Sequence, residues 1–136
     1  MTPAFAKAAE DMAVERLQAG ERVRFIARGR SMWPFILDGD LLVIGPINGA
    51  LRCGDLVWAE AGPVHRVIAI TPGPRYWLRG DALLKPDGAF RRDQLLGRVR
   101  EIRRRGRSIP LRASMGIVGT ATLLGLARLA GQIARR

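Results

Sequence analysis

The spacing of apolar residues shifts from a helical to a strand period along the 136-residue chain. Between residues 4 and 18, Phe5, Ala8, Ala9, Met12, Ala13 and Leu17 recur at helical spacing. This predicts an amphipathic helix, ended by Ala19 and Gly20. Beyond Gly20 the period shortens to two. Val23, Phe25 and Ala27 alternate with Arg22, Arg24 and Arg28, broken only by Ile26, as in a half-buried strand. Further strands are predicted over residues 40–45, 55–59, 64–70, 75–79, 95–102 and 108–111. Pro46-Ile-Asn-Gly49 and Thr71-Pro-Gly-Pro74 punctuate them. Short strands separated by Gly and Pro predict a mainly β domain, a small barrel or coiled sheet. Residues 113–134 are apolar, with Arg128 as the only charge, and predict a C-terminal apolar helix. The organisation expected is thus a helix over residues 1–20, a β domain over 21–112 and an apolar helix over 113–136.

Composition narrows the functional classes. The chain is about one domain long, with no room for a separate cofactor domain. Its net charge is +11, and of its 23 basic residues only Lys7 and Lys85 are lysines. Such a charge favours an anionic partner: a membrane surface, a nucleic acid or an acidic peptide. The single cysteine, Cys53, excludes an internal disulfide and a paired-cysteine zinc site, and the lone His65 excludes a multi-histidine metal cluster. No motif calls for a cofactor.

Three short stretches carry candidate chemistry. Ser31 lies in Gly29-Arg30-Ser31-Met32-Trp33-Pro34, after a predicted strand, where a backbone can hold a hydroxyl outward and its own N–H toward a developing oxyanion. His65 lies on the predicted strand Val64-His65-Arg66-Val67, facing away from Val64 and Arg66. A histidine is the usual base for an activated serine. Arg79-Gly80-Asp81 and, further on, Asp87 supply two carboxylates, either of which could orient an imidazole. Taken singly, each also fits a turn or a structural residue.

In combination and order, these stretches resemble the signal peptidase I superfamily of serine peptidases, which also contains the self-cleaving LexA-type repressors. Gly29 to Pro34 with Asp38-Gly39-Asp40 resembles its nucleophile motif, and Gly54-Asp-Leu-Val57 its next strand. His65-Arg-Val-Ile68 resembles the segment supplying the general base, and Arg79-Gly-Asp81 with Asp87 the family's aspartate box. The resemblance spans residues 22–103. A histidine at the base position is similar to the form found in archaea and the endoplasmic reticulum, where bacterial relatives have lysine. The resemblance implies a serine endopeptidase with the small β catalytic domain of that family. Ser31 would be the nucleophile, His65 the base and Asp87 the group orienting it, with Asp81 holding the site's loop. Met32, Gly29 and Arg30 would border the bound peptide. Bacterial members often carry a second oxyanion donor, a serine hydroxyl, two positions before the nucleophile; here that position is Gly29, and the intervening glycine is Arg30.

The expected substrate is a leader or signal-type peptide, or a partner protein. Two rivals remain open: a peptide-binding member of the fold that no longer cleaves, and a basic adaptor for a membrane surface or nucleic acid. Residues 3–18 carry Lys7, Glu10, Asp11, Glu15 and Arg16, so no export signal is expected there. Residues 113–127 are uncharged over only 15 positions, short of the ~20 that span a bilayer. A packed or interfacial helix is expected over a spanning one. Arg103, Arg104, Arg105, Arg107 and Arg112 precede this segment, which would keep the catalytic domain cytoplasmic if it did span. The location expected is cytoplasmic, peripheral to the membrane or tail-anchored in it. The arginines of residues 91–112 read first as a solvated strand face and next as a contact for an anionic lipid surface. Nucleic acid is disfavoured, since no helix-turn-helix module fits before the β domain.

Overall fold

The structure, a computed structural model, describes residues 3–111, and side chains from residue 7 onward. Helix α1 (Pro3–Gln18) precedes eight strands: β1 (Val23–Ile26), β2 (Leu41–Gly45), β3 (Leu56–Ala59), β4 (Val64–Thr71), β5 (Arg75–Arg79), β6 (Gly88–Phe90), β7 (Leu95–Arg104) and β8 (Arg107–Ile109). A single turn of 3-10 helix, Arg92–Gln94, leads into β7. The strands form one antiparallel sheet in the order β1-β2-β7-β3-β4-β5-β6, with β8 paired to β7. The sheet is mainly β as expected, but it is open: β1 and β6 end it and do not pair, so it is not a closed barrel. The apolar helix expected over residues 113–136 lies outside the described residues. No helix among the described residues is long and apolar enough to cross a membrane.

The central strands are buried on both faces. Along β3, successive side chains point to opposite faces. Leu56 and Trp58 join one apolar cluster with Ala13 and Leu17 of α1 and with Leu42, Ile44, Val99 and Ile102. Val57 and Ala59 join a second with Val67, Leu78 and Leu95. Each fully buried aliphatic side chain, such as Ile44 or Val67, contributes about 1.5–3 kcal/mol by leaving water. The register of β2 shifts between Val43 and Ile44, and that of β4 between Val67 and Ala69. Such bulges bend strands and raise local twist.

Candidate active site

Ser31 stands in the loop joining β1 to β2. The two ends of that loop are tied by Ala27 N–H to Asp40 O and Gly39 N–H to Ala27 O, both 2.8 Å. Asp38 accepts the Gly29 N–H at 2.9 Å. Gly29 and Gly39 have φ of +88° and +92°, in the left-handed region that costs other residues energy. Behind Ser31 the chain makes one tight turn, with Phe35 and Ile36 N–H donating to Met32 O at 3.0 Å. Met32 and Ile36 sink into the first core cluster and anchor this turn. Ser31 stays half-exposed.

Asp40 fixes the loop from below. It is 2% exposed, accepts the Leu37 N–H at 2.8 Å and forms a paired contact with Arg104 at 2.9 and 2.8 Å. Arg104 also donates to Phe35 O at 3.2 Å. Burial works to raise the Asp40 pKa, but the hydrogen bonds from Arg104 and Leu37 outweigh it and hold the carboxyl below its ordinary value. Arg104 is held correspondingly above its own, chiefly by the hydrogen bond to Asp40.

His65 sits on β4 opposite Val57 and is only 3% exposed. A buried imidazole needs a partner on each nitrogen, and His65 has both. Its Nε2 lies 3.0 Å from Ser31 Oγ. Its Nδ1 faces the Asp87 carboxylate in a short contact. Asp87 is placed by its own N–H, which donates to Leu78 O at 2.7 Å as the chain returns along β5. A carboxylate on Nδ1 selects the tautomer with the proton there, leaving the Nε2 lone pair directed at the hydroxyl.

The other aspartate does something different. Asp81 pairs bidentately with Arg66, from Nε and Nη2, both at 2.9 Å. Arg66 is 1% exposed, donates a third bond to Gly54 O at 2.7 Å and lies over the Phe35 ring at 5.6 Å. The pair ties β4 to the loop after β5 and to the segment before β3. That loop closes on Ser31: Ala82 N–H donates to Ser31 O at 2.9 Å, and Asp81 N–H contacts Met32 Sδ at 3.4 Å.

Two site residues escaped the sequence reading. Arg66 is one; a lone arginine beside the candidate base carries no signal in a chain so rich in arginine. Gly80 is the other. A Cβ there would stand 2.6 Å from Ser31 O and 3.0 Å from His65 Nε2, so only glycine lets the loop approach so closely. Arg79-Gly80-Asp81 stands out in the sequence for its carboxylate, and nothing in that pattern marks the glycine as a point of close approach.

A cavity of about 260 Å³ opens beside Ser31, with Phe25, Met32, Ile36, Ile44 and Trp58 in its apolar lining. Phe25 and Trp58 meet there with ring centroids 5.0 Å apart. Of the three residues expected to border a bound peptide, Gly29 and Met32 line the cavity. Arg30 does not; it is exposed to one side. Ser31 N–H has no backbone acceptor among the described residues. No group of His, Cys, Asp and Glu among the described residues is placed to hold a metal ion.

The chain matches no protein-family model, no curated protein and no solved structure.

Proposed function

We propose that the protein is a serine endopeptidase of the signal-peptidase and LexA type, in its histidine form, cutting a leader-type peptide or a partner protein. The observation that carries this reading is the run of contacts from Asp87 through His65 to Ser31 at the mouth of an apolar cavity. A serine hydroxyl near neutral pH is a poor nucleophile without a base in contact. Here the base is in contact and its far nitrogen is already held.

The reaction follows from that arrangement. Ser31 Oγ attacks the substrate carbonyl carbon as its proton passes to His65 Nε2. Asp87 remains ionised and stabilises the imidazolium. The oxyanion meets the Ser31 N–H. The carbon–nitrogen bond then breaks, and the proton on Nε2 goes to the leaving amine. A water molecule, losing its proton to His65 Nε2, adds to the acyl carbon; the bond from that carbon to Ser31 Oγ breaks, and Oγ takes the proton back from Nε2. The lining of the cavity suits an apolar side chain next to the cleaved bond, and the family resemblance implies a small one. We place this activity in the cytoplasm, at or near a membrane, on the charge distribution around residues 113–134.

One feature favours a second reading. Gly29 offers no hydroxyl where bacterial relatives supply a second oxyanion donor, which suits a member that binds peptides without cleaving them. A fluorophosphonate probe and a peptide library read by mass spectrometry separate the two. An endopeptidase labels at Ser31 and makes a defined cut that Ser31→Ala and His65→Ala both abolish. Neither labelling nor cutting by the wild type leaves the binding reading.

A further inference from the structure

Strand β1 is an end strand of the sheet, and one of its edges has no partner strand among the described residues. It leads directly into the catalytic loop, and its Phe25 lines two hollows. One is the cavity beside Ser31; the other is a larger open groove of about 640 Å³ between α1 and the sheet. Met12, Val23 and Phe25 give this groove apolar surface, and Met12 is 63% exposed. Arg16, from the last turn of α1, joins Arg22 and Arg24 around it. All three arginines are exposed, and none makes an ion pair with a described residue. The one acid in the lining, Glu101, is held by Arg103 at 2.8 Å.

We propose that this groove reads acidic side chains of the extended peptide whose scissile bond lies at Ser31, an inference that rests on the endopeptidase reading. A peptide can add to the free edge of β1 through main-chain hydrogen bonds, while alternate side chains reach pockets on either hand. The groove and the catalytic cavity meet at Phe25, so one extended segment spans both. The side chains facing Arg22 and Arg24 then belong to a part of the peptide beyond the one in the cavity beside Ser31. The three guanidiniums select carboxylates there and repel basic segments. Charge on an edge strand also deters indiscriminate pairing, so the same arginines decide which strand may add. The chain's own terminal segment is a poor occupant by charge, since residues 112–136 contain no Asp or Glu.

The test separates binding from cleavage. Full-length Ser31→Ala protein is titrated, by fluorescence anisotropy at low salt, with a labelled peptide alternating Glu and Val ahead of an Ala-rich stretch. Its counterpart has Gln for every Glu. The Glu peptide is expected to bind about tenfold tighter. In Ser31→Ala protein also carrying Arg16→Gln, Arg22→Gln and Arg24→Gln the preference disappears, with the thermal midpoint unchanged. Equal binding of the two peptides overturns the proposal, as does a preference that survives the arginine substitutions. Displacement of the Glu peptide by phosphatidylglycerol vesicles or single-stranded DNA more readily than by unlabelled Glu peptide also overturns it, marking a general polyanion surface. Acid preference without Ser31-dependent cleavage by the wild type defeats the endopeptidase reading alone. Ser31-dependent cleavage without acid preference defeats this inference alone.

Discussion

His65 and Arg66 are neighbours on β4, and their side chains are held by different aspartates of one loop: His65 by Asp87, Arg66 by Asp81. The alternation of a strand makes this division possible, because consecutive side chains leave opposite faces. One aspartate serves the imidazole and the other serves the frame.

The division predicts opposite phenotypes for two conservative changes. Asp87→Asn leaves the frame in place but removes the charge that selects the tautomer and stabilises the imidazolium. It is expected to lower kcat by a factor on the order of 10³–10⁴ with little change in urea midpoint. Asp81→Asn strands a guanidinium that is 1% exposed, and breaking such a pair costs about 3–5 kcal/mol. Replacing both partners, as in Arg66→Met with Asp81→Leu, is expected to recover much of that loss. Urea unfolding of the three variants beside their kcat values checks the assignment. A stable but inactive Asp81→Asn would reverse it.

The loop bearing Ser31 is expected to be the acid-sensitive part of the fold. Asp40 is held below the ordinary aspartate pKa of about 3.9 by its bonds from Arg104 and Leu37. A depressed carboxyl binds fewer protons folded than unfolded, so its contribution to stability is complete above the unfolded value. It is lost as pH falls through the folded one. Asp40→Asn removes that contribution at every pH and is expected to cost about 1–3 kcal/mol near neutrality. The difference in unfolding free energy between wild type and Asp40→Asn should therefore be constant above about pH 5 and shrink below about pH 4. A difference that grows with acid would refute the assignment.

Much of this architecture is written in short apolar runs. Strand β1 falls where apolar residues alternate with arginines, and β2 to β5 fall where short apolar-rich runs lie between Gly and Pro. Strand β6 escaped because Gly88–Phe90 is too short to show a period, and it exists only through pairing with Tyr76, Trp77 and Leu78. Strand β7 runs on to Arg104, beyond the predicted end at residue 102, because Arg103 pairs with Leu41 and Ser108 and Arg104 with Arg107. Arg98, Arg100 and Arg104 donate to Ala50, Pro46 and Phe35 carbonyls. Whether the sheet closes was not legible, since closure depends on strand tilt and stagger rather than on any one segment. At the site, residue identity and order brought out Ser31, His65 and Asp87. The buried Arg66–Asp81 pair was hidden, because no local pattern distinguishes an arginine that turns inward from one that faces water.

Two glycines stand close against other groups, and adding a methyl group to each separates activity from stability. At Gly97 a Cβ would lie 2.5 Å from Ile44 Cγ2, a side chain wholly inside the first core cluster. Gly97→Ala overpacks that core and is expected to cost about 1–3 kcal/mol. Its molecules that do fold should keep their kcat and show any change in KM, since Ile44 lines the cavity beside Ser31 but is no part of the relay. At Gly80 a Cβ would meet the backbone oxygen of Ser31, which cannot swing aside as a side-chain end can. Gly80→Ala must move Ser31 relative to His65 Nε2, and a displacement near 1 Å costs about 10²-fold in rate. Rates are to be expressed per fluorophosphonate-titrated site, beside urea midpoints for both variants. If Gly80→Ala keeps the wild-type rate per site, the close approach of this loop to Ser31 has no part in placing the nucleophile.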